Sequence, residues 1–359
     1  MNVLILFSTN KIGGAERSLS RMAGMPSSVT YFLGCCDEEG DWNKWANDLG
    51  LQAFAFGSNT LTSLIRVLLF MRSNKINIIY VCGLRLSICL RVLLLFSPRT
   101  KLVHGVRWNP NSTSALDRVF RVVEKHLGKL NDFWITNSEA AKQTLVEICD
   151  VPDVKTLNIY NGIEISPRLA NSYQESYLNV ITVANLSPRK GHIEFLQAIL
   201  NIRKVIHDVH FTFLGNDYMD GEVHKEVVRL GLSQVVSIEG FKEDVSEWLD
   251  NSAVFVLPSL WGEGCPTSIL EAFSYRVPAI AYAIDGVPEL IDDGEDGILV
   301  SPGNSYELES AVISLLQDHE TRRLMGNRGY EKVDKYFSLE KCANEHEKIF
   351  QALTAICVE

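Results

Sequence analysis

The 359-residue sequence contains no run of eighteen uncharged apolar residues. Arg66, Arg72, Arg85 and Arg91 interrupt its most hydrophobic region, so a membrane-spanning helix, which needs about 20 apolar residues, is not expected. Cysteine occurs eight times but never as C-x-x-C. Apart from the neighbours Cys35 and Cys36, the cysteines are scattered through apolar contexts, which gives no metal-binding spacing and suits a reducing, cytoplasmic setting. Repeats and low-complexity tracts are absent. The start, Asn2-Val-Leu-Ile-Leu-Phe7, lacks the basic flank and cleavage site of a secretion signal and reads as a first strand. Acidic residues are scarce in one region only: residues 60–130 hold 12 Lys and Arg against 2 Asp and Glu.

What is present is a chain of ordinary globular composition, too long for one hydrophobic core, so two domains are expected. The net charge of −10 is unevenly placed. Residues 1–165 carry 18 basic against 14 acidic side chains, and the remainder 16 against 30. The polar segment 166–177 has no apolar periodicity and reads as a linker. Two leucine-rich basic stretches, Leu61 to Phe70 and Leu84 to Phe96, suit either peripheral contact with an anionic membrane surface or helices packed on a sheet with arginines at their edges. Nucleic acid fits less well, because these arginines sit among leucines and not among stacking aromatics.

Short apolar segments alternate with helical ones through both halves, which predicts an α/β fold with doubly wound parallel sheets. In the first half, Val3 to Phe7 runs into a polar loop with Gly13 and Gly14 before a helix over 15–23. A strand over 101–103 delivers His104 and Gly105 at its C-terminal end, where open α/β sheets place ligands. His104 is either a residue of that ligand site or a hydrogen-bonded core histidine, and Arg107, three residues on, is a competing phosphate ligand. Asn161 and Gly162 serve a turn. In the second half, the strand Asn179 to Ala184 enters Asn185-Leu-Ser-Pro-Arg-Lys-Gly191. Adjacent cations at a strand-to-helix junction suit a diphosphate, Arg189 as a bidentate fork and Lys190 as a compact charge; the alternative is a solvated basic turn.

The most specific stretch is residues 258–271, Pro-Ser-Leu-Trp-Gly-Glu-Gly-Cys-Pro-Thr-Ser-Ile-Leu-Glu. A buried strand over 253–257 ends at Pro258; Gly262 and Gly264 bracket Glu263; Pro266 suits the first turn of a helix, and Thr267 and Ser268 can satisfy its free donors. A helix start offers unpaired N–H groups and a positive dipole end to an anion. Glu263 precedes that seat and Glu271 follows it by roughly 8 Å at about 1.5 Å per residue. The spacing brackets a pyrophosphate, with sugar hydroxyls on one carboxylate and ribose hydroxyls on the other. The bland alternative is a turn glutamate and a surface glutamate.

Glu263 through Glu271 resembles the Glu-x7-Glu signature of retaining glycosyltransferases of the GT-B fold, glycosyltransferase family four. The similarity continues through Pro278-Ala-Ile-Ala281, Asp285-Gly-Val-Pro-Glu-Leu-Ile291 and Asp293-Gly-Glu-Asp-Gly-Ile-Leu-Val300, and includes Val183-Ala-Asn-Leu-Ser-Pro-Arg-Lys-Gly191 upstream. It is strong over most of the second half and weaker over the first.

The resemblance implies two Rossmann-like doubly wound domains facing a central cleft. The first, 1–165, would bind acceptor and the second, 178–337, the nucleotide-sugar, with 338–359 crossing back as a helix to the first. It implies that Gly13, Gly14 and His104 line the cleft near donor sugar and acceptor. Lys190 and Arg189 would stabilise the leaving diphosphate, Glu263 would orient the sugar, and Glu271 would hold ribose. Gly264, Cys265, Pro266, Thr267 and Ser268 would cradle the donor, with Phe241 either stacking on the base or anchoring its loop. Three departures stand out: Asn185 where an arginine is usual, Arg276 in a glycine slot, and Asp285-Gly286 for Gly-Gly.

The expected activity is metal-independent, configuration-retaining sugar transfer from a nucleotide diphosphate to a hydroxyl acceptor. No cofactor is expected, and the acceptor would be a glycan or lipid-linked glycan in surface polysaccharide or lipopolysaccharide assembly. The expected location is cytoplasmic, at the inner face of the membrane if the basic stretches meet lipid. A nucleotide-sugar epimerase or hydrolase, or a catalytically silent nucleotide-sugar-binding partner, are the alternatives on the same scaffold.

Overall fold

A computed structural model describes residues 1–94, 99–165 and 178–355. The expected linker, 166–177, and the end of the basic stretch that reaches Phe96 lie outside the described residues. The chain divides into two compact units, residues 1–163 with 338–359, and residues 164–337.

The first unit runs β1 (Asn2–Phe7), α1 (Gly14–Ala23), β2 (Thr30–Cys35), α2 (Asp41–Asp48), β3 (Ala53–Ala55), α3 (Thr60–Ser73), β4 (Ile78–Cys82), α4 (Leu84–Leu94), β5 (Lys101–Val106), α5 (Ala115–Leu127), β6 (Phe133–Thr136), α6 (Glu139–Gln143) and β7 (Thr156–Asn158). Its seven strands are parallel in the order β3-β2-β1-β4-β5-β6-β7. The strands are near-continuous apolar runs because both faces of a parallel sheet are covered. On one face α1 and α2 pack with Val3, Ile5 and Phe7. On the other, α3 and α4 share a core with Leu4 and Leu6, and α4 and α5 share one with Val106 and Trp134.

Helix starts follow local chemistry: Asn59 accepts from the Thr62 N–H at 3.2 Å, Ser114 from Asp117 at 3.1 Å and Ser138 from Ala141 at 3.2 Å. The Asn59 cap starts α3 ahead of the apolar periodicity. β5 likewise extends through His104 to Val106, so His104 lies inside the strand and Arg107 is the first residue past it.

The second unit comprises β8 (Leu178–Val183), α7 (His192–Val205), β9 (Val209–Leu214), α8 (Glu222–Arg229), β10 (Val236–Ile238), α9 (Ser246–Asp250), β11 (Val254–Leu257), α10 (Thr267–Ser274), β12 (Ala279–Tyr282), β13 (Gly297–Val300), α11 (Ser305–Gln317) and α12 (His319–Tyr336). Its parallel strands lie in the order β10-β9-β8-β11-β12-β13. The order reverses between β8 and β11, which is where doubly wound sheets open a ligand crevice at their carboxyl ends. The final helix, α13 (Leu339–Ala355), packs against α1 in the first unit through Leu339, Ala343 and Phe350. Gly162 makes this possible, since a Cβ there would meet the Leu339 Cα and the Ser338 carbonyl at 2.7 Å.

Candidate active site

The loops that leave β8 and β11 are laced together at the reversal point of the second sheet. Leu260 donates its N–H to the Arg189 carbonyl at 2.8 Å. Gly191, at φ +67°, brings the first loop so close that a Cβ would stand 2.0 Å from the Pro258 carbonyl oxygen. Only glycine fits that left-handed, crowded position.

This contact brings Lys190 and Glu263 together. The Lys190 ammonium lies 2.5 Å from the Glu263 carboxylate, with both side chains almost wholly enclosed. Arg189 is half-exposed; it donates to the Gly262 carbonyl at 3.0 Å and stands 3.9 Å from the same carboxylate. Burial works to raise the Glu263 carboxyl, but the Lys190 and Arg189 charges outweigh it and hold Glu263 below the ordinary carboxylate range. Burial lowers the Lys190 ammonium, and the Glu263 charge partly restores it. Behind the pair, burial and then the Lys190 charge push the His192 imidazole down to about 3.

Glu263 is also held through its backbone. The Asp285 carboxylate, just past β12, accepts the N–H groups of Gly262 at 2.7 Å and Glu263 at 3.1 Å. Asp285 adopts φ +47°, a conformation that favours glycine, so the residue in the usual glycine slot carries a clamp for the glutamate loop. Sequence reasoning noted this departure but not its partners, which become visible only when two loops are set side by side.

α10 starts at Thr267, and Pro266 is its N-cap rather than a first-turn residue. Proline offers that helix start no side-chain acceptor for its first N–H groups. Gly264, Cys265 and Pro266 are buried, and Thr267, Ser268 and Glu271 are partly exposed. The Asn185 side-chain oxygen accepts the Asn216 N–H at 2.9 Å and so ties the exits of β8 and β9 together. Phe241 follows Gly240 on the loop after β10 and remains about a third exposed.

In the first unit the expectation for His104 needs correction. Its side chain is fully enclosed on the α4 and α5 side of the sheet, 3.0 Å from Glu124 and 3.2 Å from Arg91, and it packs on Phe120. Mid-strand alternation points it into the core, so it is the hydrogen-bonded core histidine of the two alternatives. Arg107 takes the strand-end position. Its guanidinium donates to Asn161 and, at 3.4 Å, to Ser18 on α1, while Ser18 donates to Asn161 at 3.1 Å. Asn161 therefore does more than serve a turn. Gly13 caps α1 and Gly14 begins it; a Cβ at Gly13 would press on Glu16, whereas Gly14 has open space.

Residues 170–332 match the family described as Glycosyl transferases group 1. The fold is that of GT-B glycosyltransferases, two Rossmann-like parallel-sheet units. The chain is 26% identical over 184 residues to the putative colanic acid biosynthesis glycosyltransferase WcaL of Salmonella typhimurium, covering 49% of this chain and 45% of WcaL. It is 23% identical over 369 residues to the UDP-Gal:alpha-D-GlcNAc-diphosphoundecaprenol alpha-1,3-galactosyltransferase of Escherichia coli, covering 94% of both. The chain thus spans about half the length of several curated relatives it matches. Among solved structures, Anabaena Alr3699/HepE in complex with UDP-glucose superposes with a TM-score of 0.85 at 21% identity, over 98% of this chain and all of the other.

Proposed function

We propose that this protein is a configuration-retaining glycosyltransferase that moves a sugar from a nucleotide diphosphate to a hydroxyl of a glycan or lipid-linked glycan in surface polysaccharide or lipopolysaccharide assembly. The observation that carries the reading is the Lys190–Glu263 pair at the sheet reversal, directly ahead of the α10 helix start. The relatives named for polysaccharide biosynthesis and the HepE structure with UDP-glucose support it.

A departing diphosphate carries charge that must be met where it develops. The α10 N–H groups, Lys190 and Arg189 meet it with charges of the chain itself, so the reading needs no metal. A diphosphate seated there competes with Glu263 for the Lys190 ammonium, which frees the Glu263 carboxylate to accept hydrogen bonds from sugar hydroxyls. Glu271 lies far enough along α10 to take the ribose hydroxyls. Retention then follows from front-face attack: the sugar–phosphate bond breaks, the acceptor oxygen bonds to the same face, and the leaving phosphate takes the acceptor proton. No protein nucleophile is required.

One observation favours a second reading, a nucleotide-sugar-binding partner without activity: Asn185 stands where an arginine is usual and its side chain is engaged in the fold. Calorimetry and product analysis separate the two. Glu271→Ala is expected to weaken nucleoside diphosphate binding about tenfold, the scale of losing hydrogen bonds to a charged group. Wild-type protein with a panel of nucleotide-sugars and a lipid-linked acceptor should give a glycoside with the donor's anomeric configuration. Tight donor binding without any product would select the silent reading; unchanged affinity in Glu271→Ala would remove that residue from the site.

A further inference from the structure

The sequence holds six tryptophans, and the fold uses five of them. Trp42, Trp45 and Trp134 are buried. Trp108 and Trp248 are half-buried and partnered: the first donates its indole N–H to Asp117 at 3.2 Å, and the second carries the Lys242 ammonium over its ring at 5.5 Å. Trp261 is the exposed one, at 43%, two residues ahead of Glu263. Its indole makes no hydrogen bond, ring contact or cation contact among the described residues.

The backbone that carries Trp261 is pinned on both sides. Leu260 packs its side chain on the core of the second unit and donates its N–H to the Arg189 carbonyl at 2.8 Å. Gly262 donates its N–H to Asp285 at 2.7 Å, and its carbonyl accepts the Arg189 guanidinium at 3.0 Å. At φ +76°, Gly262 makes a left-handed turn that a side chain disfavours. The turn separates its two neighbours: Glu263 is enclosed at 4% exposure, while Trp261 stays in solvent. A tryptophan left there forgoes the large hydrophobic gain of burial, and a pinned backbone reduces the entropy lost when that ring meets a ligand.

A pyranose carries hydroxyls around its edge and C–H bonds on its faces, so its recognition takes polar groups at the rim and a flat apolar surface against one face. Trp261 offers that surface beside the polar groups of Glu263, Lys190 and Arg189. We propose that the Trp261 indole stacks on the sugar ring of the acceptor and so sets which acceptors are used. The assignment to the acceptor rests on the transfer reading, in which Glu263 takes the donor sugar and the acceptor enters on the face from which the diphosphate departs. Arg189, a diphosphate ligand in that reading, bonds to the backbone immediately before and immediately after Trp261. The indole is thus carried by the turn that the diphosphate cation fastens, whereas the nucleobase continues from the ribose given to Glu271.

The test uses the full chain and octyl glycosides of glucose, galactose and N-acetylglucosamine as acceptor probes. Where the wild type transfers sugar to one of them, Trp261→Ala should raise the acceptor KM about threefold to tenfold, the scale of losing one aromatic contact, with kcat at saturating acceptor unchanged. Trp261→Tyr should restore most of the loss, and melting of both variants at the wild-type temperature would show that the fold persists. An unchanged acceptor KM in Trp261→Ala would overturn the proposal and leave the transfer reading standing. A raised donor KM with unchanged acceptor KM would also overturn it, assigning the indole to the donor sugar. Where the wild type transfers nothing, the transfer reading has failed by itself, and tryptophan emission of protein saturated with UDP decides the stacking. A glycoside-dependent change that Trp261→Phe lacks would support it; the same response in both proteins would overturn it.

Discussion

The Asp285 carboxylate holds the backbone N–H of Glu263 at 3.1 Å while the Glu263 side chain holds the Lys190 ammonium at 2.5 Å. Loops from three strands, β8, β11 and β12, therefore converge on a single glutamate. Because they do so through charge-assisted bonds in an enclosed site, the position of that carboxylate is set before any ligand arrives.

Breaking the Lys190–Glu263 pair should separate its structural and chemical contributions. Lys190→Ala strands a buried carboxylate, and removal of one partner of such a pair typically costs about 3–5 kcal/mol. Lys190→Met with Glu263→Gln should recover most of that stability. Transfer activity should fall by about 10² or more in both variants, the scale of losing one preorganised electrostatic donor. Thermal melts and initial rates measured together check this; activity that recovers with stability would assign the pair to folding alone.

Asp285 should prove to be a positioning residue. Asp285→Gly relieves the +47° backbone conformation but removes the acceptor for two N–H groups, whereas Asp285→Asn keeps a side-chain oxygen. The glycine variant should therefore melt near the wild-type temperature, with kcat lowered about tenfold or more and donor KM raised. The asparagine variant should restore most of kcat. Equal kinetics in wild type and both variants would show that the clamp does not govern the site.

Acid should destabilise the protein in two stages. His192 and His346 are each pushed by burial to about 3. The unfolded chain thus takes up protons at them that the folded chain refuses, and stability is lost as pH falls below the unfolded value near 6.5. Glu124 is driven up by burial but down more strongly by His104 and Arg91, to about 2. Its contribution, on the order of 3 kcal/mol, is fully present above the unfolded carboxylate value and is lost as pH falls toward 2. Urea titrations between pH 7 and pH 3 should show the first stage reduced in His192→Gln and the second in Glu124→Gln. Identical pH profiles in both variants and wild type would refute these assignments.

Much of the scaffold is legible along the chain. Alternating apolar strands and helical segments imply parallel sheets, and the caps the structure shows at Asn59, Ser114 and Ser138 each act on an N–H three residues on in the chain. The candidate site is less completely legible. Glu263, Lys190 and Glu271 stand out by type and spacing; Asp285 is visible only as a departure, Asn161 only as a turn residue and Ser18 not at all, because their partners lie far away in sequence. His104 shows the same limit from the other side: a strand three residues longer than its propensity suggests carries it off the strand end and into the core.

Local order alone determined the β/α alternation, the glycine turn between two glutamates, and the concentration of basic residues in 60–130, because each depends on residues near one another in the chain. Only tertiary structure decided that Lys190 meets Glu263 across 73 positions, that Asp285 clamps the loop between them, and that Asp117 and Glu124 are withdrawn from an otherwise basic face. The direction in which a side chain leaves its strand or helix is a property of packing, and packing settles which charges pair inside and which remain for a partner.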